Sequence, residues 1–256
     1  MNEANPISIP YPEAADRHLK ITVGACRLKV APGAADVWVT GTYRDPSGSL
    51  PLKIDQVGTT VRISQAPEWA NVLNLPSGIP TLDLALGTGR PFALTLESGA
   101  SENEVDLGAV PINRMIVRQG AGKMTIDFSA TNPEPMSLLT LSAGAGSVEV
   151  KNLANANLAE MTVDGGAVAY KLDFGGSLQR NAHVRVSTGM ASVEIRVPST
   201  TAARISTESV LGNLDIGDGF TKREGAFWTS ASPAGTGPLL SIHASVALGS
   251  LSLRAT

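Results

Sequence analysis

The residues able to do chemistry are few and scattered. The histidines, His18, His183 and His243, lie far apart, and no His-x-x-x-His or Cys-x-x-Cys spacing accompanies them, so no zinc site is expected. Asp215-Ile-Gly-Asp218-Gly faintly matches a calcium loop but lacks the further acidic ligands, and reads as a polar turn. Glu97, Glu102, Glu104 and Asp106 could in principle pair as acid and base on a glycoside. Sugar-cleaving folds pair such groups with aromatic platforms, whereas aromatic residues are only 4% here, so these carboxylates read as a solvated outer face. No Gly-x-Ser-x-Gly elbow offers a hydrolase nucleophile. Gly144-Ala-Gly146 begins like a dinucleotide fingerprint, but no third glycine and no helix follow. The reading is a non-enzyme with no catalytic residues, no metal and no cofactor.

The same Gly-Ala-Gly is a structural corner. Leu139–Val150 consists of two short alternating apolar runs joined there, and its twelve-position frame recurs without gaps. The copies are Leu19–Val30, Met115–Ile126, Met161–Leu172, Val184–Ile195, Ile205–Ile216 and Ile242–Leu253. From Met115 the starts fall 24, 22, 23, 21 and 37 residues apart. Alternation sends one set of side chains to a single face. Small residues at the corner allow positive φ or close backbone approach. One copy cannot bury its own apolar face, but a stack can. The expected fold is all-β: a β-solenoid-like stack of ~22-residue layers, about 4.8 Å apart, with an N-terminal β-subdomain. About seven layers at that spacing would make a rod of roughly 35 Å.

Around this stack the sequence divides at the Pro-rich stretch from Ala66 to Pro80, giving an N-terminal β-subdomain over 1–66 and the solenoid over 67–256. Residues 1–16 read as an extended leader, and strands are expected near 19–30, 35–43, 50–57 and 59–65. Leu94–Gly99 starts another copy, after which Ser101-Glu-Asn-Glu104 delays the apolar pair to Val105 and Leu107, as a bulge would. Leu153 and Leu158 are expected to face inward, and Asn152, Asn155 and Asn157 to line turns. Trp69 is read as the lid of the first layer. The loop over 217–238, carrying Phe227 and Trp228, is read as a cover for the flank. Trp228, Phe227 and Trp69 are also the candidates for ligand binding. Because little follows Leu253, the last layer is expected to expose an edge for self-association.

Composition narrows the partners. Net charge is −3 and charged residues make up 17%, against about 25% in ordinary globular chains, so no nucleic-acid footprint is present. Cys26 is the only cysteine, which excludes an internal disulfide, and it takes a corner slot. No basic-then-apolar leader follows Met1, and no run approaches about 18 apolar residues, so neither a signal peptide nor a membrane span is expected. The chain as given reads as soluble, whether cytoplasmic or envelope-associated.

Several of these segments resemble the toastrack-type β-domains of the LiaF-like family, which also includes adhesin-like repeats. They are Ile79-Pro80, Leu94–Leu107, Val117–Ile126, Val186–Val197 with Pro198, Val210–Ile216 and Val246–Leu253. Ile21–Val30 with Val37–Thr42 is similar to the companion amino-terminal β-domain. The resemblance implies a non-enzymatic binding or scaffold module in bacterial envelope-stress sensing or signalling, linked to responses to cell-wall-active antibiotics. The partner would be a protein or an envelope component. The alternatives are a carbohydrate-active β-helix enzyme and a self-assembling solenoid scaffold.

Overall fold

The computed structural model describes residues 4–65, 78–208, 211–231 and 237–256. Its strands are β1 (Asn5–Ile9), β2 (His18–Val23), β3 (Arg27–Pro32), β4 (Val39–Arg44), β5 (Leu52–Val57) and β6 (Thr60–Gln65). After β7 (Thr81–Leu86) come the long strands β8 (Phe92–Asp106), β9 (Ile112–Asp127), β10 (Met136–Lys151), β11 (Leu158–Asp173) and β12 (Ala182–Val197). The chain ends with β13 (Ala203–Glu208), β14 (Leu211–Ile216), β15 (Phe220–Arg223), β16 (Ala226–Thr229) and β17 (Leu240–Ala255). All belong to one hydrogen-bonded sheet. The fold is all-β and solenoid-like.

The layers pair as the repeated frame requires. β8, β9, β10, β11, β12 and β17 lie side by side and parallel, with Leu139 opposite Met115 and Met161, and Val184 opposite Ile242. Alternate residues of each strand turn inward, so Leu139, Leu141, Val148 and Val150 are all buried. They join one apolar cluster running from Ile7 to Leu253. Each long strand bends at its glycine corner. At Gly122 and Gly146 the bend needs φ of 111° and 112°, in the region that a Cβ disfavours.

The connectors are stapled by asparagines. Asn152 and Asn157 flank the short 3-10 turn Leu153–Ala156, both left-handed, and Leu153 and Leu158 are buried as expected. Asn155 Nδ2 donates to Phe128 O at 3.0 Å and its Oδ1 accepts from Ser177 N at 3.0 Å, tying three successive coils together. These asparagines are structural.

Four expectations are corrected. The leader contains β1, which pairs antiparallel with β4 and buries Ile7 and Ile9. Pro6 is tolerated because β1 lies at a sheet edge, where an N–H is dispensable. The strand expected over 19–30 is broken at its corner into β2 and β3, which stack on the two halves of β8. No bulge follows Gly99: Ser101 to Val105 pairs residue for residue with Gly122 to Ile126. Asn103 sits in a slot that is apolar in other copies, 2% exposed, donating to Ser98 Oγ at 3.2 Å and Ser101 Oγ at 2.9 Å. A buried amide with local partners hid an intact frame.

The fourth correction concerns order. The last frame, Ile242–Leu253, does not form an edge. β17 slots between β12 on one side and β13 with β14 on the other. The 37-residue interval carries the chain over the β15–β16 hairpin and back into the stack. The physical reason is visible in the side chains. Ile242, Val246, Leu251 and Leu253 of β17 are buried, whereas Leu214 of β14 is 39% exposed. The more apolar copy takes the place with neighbours on both sides. Among the described residues β14 pairs with β17 alone, so the open edge belongs to β14. Trp69 and the 66/67 division lie outside the described residues. No helix among the described residues is long and apolar enough to cross a membrane.

Candidate functional site

The corner that makes the stack possible also shapes its surface. Gly24, Gly99, Gly120, Gly144 and Gly166 form a column, each with the carbonyl of the preceding member beneath it. A Cβ at Gly120 would meet Gly99 O at 2.9 Å, and one at Gly166 would meet Gly144 O at 3.0 Å. The column begins where Gln65 Oε1 accepts from Gly24 N at 2.9 Å. With no side chains above it, the backbone is the floor of a groove of about 940 Å³.

One wall of this trough is the fourth position of each frame: Thr22, Glu97, Arg118, Ser142, Asp164 and Ser187. They are register partners on consecutive layers, so their side chains stand in a row. Outside the trough's lining, Met190 and Leu248 are register partners on β12 and β17 and stand 66% and 58% exposed.

The wall's charges are internally balanced. Glu97 is held by Lys20 Nζ at 2.7 Å and Arg118 Nη1 at 3.0 Å. These cations, Lys20 foremost, keep its carboxyl below the ordinary glutamate range against the opposing effect of burial. Ser142 Oγ donates to Asp164 Oδ2 at 2.8 Å, and Tyr170 OH donates to Asp164 O at 2.6 Å. Burial pushes the Tyr170 phenol up to about 12, so it stays a donor.

The candidates from sequence lie elsewhere. Phe227 and Trp228 are on β16, which pairs antiparallel with β13, placing Phe227 opposite Ile205 and Trp228 opposite Arg204. Phe227 packs against the core, and the Arg204 guanidinium stands 5.9 Å from the Trp228 ring centre. Trp69 is outside the described residues. Of the outer-face carboxylates, Glu97 lines the trough and Glu102 pairs with Arg27 at 3.5 Å. Asp106 Oδ1 accepts from Ser129 Oγ at 2.6 Å and Gly108 N at 2.9 Å, closing a turn. Asp215 is ion-paired to Arg254. Among the described residues, no cluster of three His, Cys, Asp or Glu could hold a metal. His183 and His243 come onto neighbouring strands, where Arg185 is the register partner of His243.

Arg118, Ser142, Asp164 and Ser187 were not singled out from the sequence. Reading the fourth frame position down successive copies would have found them, because that position is outward and polar in each.

The fold is shared with a known structure. A candidate cell adhesion protein from Clostridium sporogenes ATCC 15579 is similar at 13% identity and TM-score 0.53, over 100% of both chains. A candidate adhesin from Bacteroides fragilis NCTC 9343 aligns at 9% identity and TM-score 0.40, over 99% of this chain and 97% of its own. A candidate lipid binding protein from Parabacteroides distasonis ATCC 8503 aligns at 13% identity and TM-score 0.39, over 98% and 96%. Comparison with curated protein sequences finds no match. The family described as the N-terminal domain of toast_rack, DUF2154, matches residues 2–151, more than half of the 256 residues, and the chain belongs to this toast-rack family.

Proposed function

We propose that this chain is a non-enzymatic binding module of the bacterial envelope, acting in envelope-stress sensing or signalling, and that its trough holds an extended peptide segment of a partner protein. The observation that carries the reading is the unbroken glycine floor beneath one polar residue per layer. From Thr22 to Ser187 the row crosses five interlayer steps, about 24 Å, the length of about seven extended residues. Hydroxyls and carboxylates along one wall suit the main-chain and polar side-chain groups of an extended segment.

Other occupants fit less well. Among the described residues no aromatic ring lines the trough, so those residues give a sugar no stacking platform. Its two acidic side chains, Glu97 and Asp164, are three layers apart, about 14 Å, beyond the spacing of a glycosidase pair. Arg118 is neutralised by Glu97, so a polyanion finds no excess of positive charge. The envelope-stress part of the reading is supported by toast-rack membership and by the resemblance to LiaF-like domains.

The test is to pan a phage-displayed random peptide library against the wild type and against a double variant, Ser142→Trp with Ser187→Trp, that fills the trough from outward positions. Peptides that bind the wild type and lose about tenfold or more on the filled form are expected. A library that enriches nothing, or enriches equally on both, overturns the reading.

A further inference from the structure

A second surface is built from the first halves of the strands at the β13 end of the stack. Glu160, His183, Ser241 and Arg204 follow one another across β11, β12, β17 and β13 as register partners, with Trp228 of β16 next in the row. Two residues further along the strands runs a parallel row: Thr162, Arg185, His243 and Ser206. Side chains two apart on a strand share a face, so both rows point to the same solvent side. Between them is a groove of about 320 Å³.

The charges here are not balanced as they are in the trough. Neither Arg185 nor Arg204 has an ion-pair partner among the described residues, although both line the groove. They flank β17 from opposite sides, with Ser241 and His243 between them. Ser206 Oγ and His243 Nδ1 are 3.1 Å apart, which orients the ring, and His243 Nε2 lies 3.5 Å from Glu208 Oε2. Trp228 holds Arg204 by a cation–π contact and so fixes its approach. Glu160 bounds the groove on the β11 side.

We propose that this groove is a binding site for a phosphate group, with Arg185 and Arg204 as paired cationic donors and Ser241 as a hydroxyl donor. Guanidinium forks match the oxygens of a tetrahedral anion, and charge-assisted bonds from two sides supply both affinity and orientation. Trp228 is a positioning residue. The site is separate from the glycine trough and stands or falls independently of it.

The shared chemistry is a phosphoryl oxygen, and two probes distinguish its source. Inorganic phosphate is titrated by calorimetry up to about 10 mM. Phosphatidylglycerol vesicles are compared with phosphatidylcholine vesicles by co-sedimentation. Arg185→Gln and Arg204→Gln are each expected to weaken binding about tenfold. Arg204→Lys retains part of it, and melting temperatures identify any variant that misfolds. Arg185 is exposed and outside the core, so its variant decides the matter if Arg204→Gln fails to fold. Binding of free phosphate lost in the variants assigns a soluble phosphorylated ligand. Binding only to phosphatidylglycerol vesicles, lost likewise, assigns a lipid headgroup. Binding of neither probe, or binding unchanged in both Gln variants, overturns the proposal.

Discussion

The carbonyl oxygen of Gly120 lies beneath the α-carbon of Gly144, so close that a methyl group on residue 144 would come within 2.6 Å of it. Successive layers approach through bare backbone here, and the trough exists because of that approach.

Gly144→Ala should therefore force adjacent layers apart, costing about 1–3 kcal/mol. Gly189 belongs to the same column, but a Cβ there would meet nothing nearer than 3.7 Å. Gly189→Ala should be neutral or stabilising by up to about 1 kcal/mol, because it restricts the unfolded chain. Paired thermal melts test the contrast, and equal losses at the two sites would contradict the column geometry.

Glu97→Gln should destabilise the fold at neutral pH by about 1 kcal/mol or less, the scale of a partly exposed ion pair. The carboxyl's native pKa is depressed, so its contribution is fully present above glutamate's ordinary 4.5 and is lost as pH falls through the lower native value. Wild type and variant should thus converge in acid. A gap that stays constant from neutral pH into acid would show that the Lys20–Glu97–Arg118 contact adds no charge-dependent stability.

Cys26 should resist thiol reagents in the native state. It is 2% exposed, and burial raises its thiol to about 12, so at pH 8 almost no thiolate forms. Labelling should follow the appearance of unfolded protein during a denaturant titration. Rapid modification of folded protein would place the side chain at the surface.

Deleting residues 240–256 should do more than shorten the stack. β13 and β14 pair with β17 and not with β12, so its loss leaves them, and the hairpin β15–β16 that covers β13, without a layer to rest on. Hydrogen exchange should show protection lost from Ala203 to Thr229. If β13 instead closes directly onto β12 and stays protected, the inserted position of β17 is dispensable.

Much of this architecture was legible because it is local and repeated. Leu139, Leu141, Val148 and Val150 alternate within one copy, and Gly144 and Gly146 mark its corner. That periodicity alone specifies a parallel layered β-fold, since each copy needs a neighbour to bury its face. The exceptions were residues whose neighbours come from other layers. Asn103 reads as a break in the frame until Ser98 and Ser101 are seen accepting from its Nδ2 inside. Pro6 reads as a loop residue until β4 takes up only one side of its strand.

Sequence by itself determined the coil, its period and its small-residue corners, because those follow from alternation and steric space along the chain. Only the tertiary structure decided the order of the layers, with β17 inside and β14 outside, because that order is settled by which copy gains most from being covered twice. The same holds for the surfaces. Arg118 meets Glu97, and Arg185 comes opposite His243, through the register of separate coils, a relationship that distance along the chain does not encode.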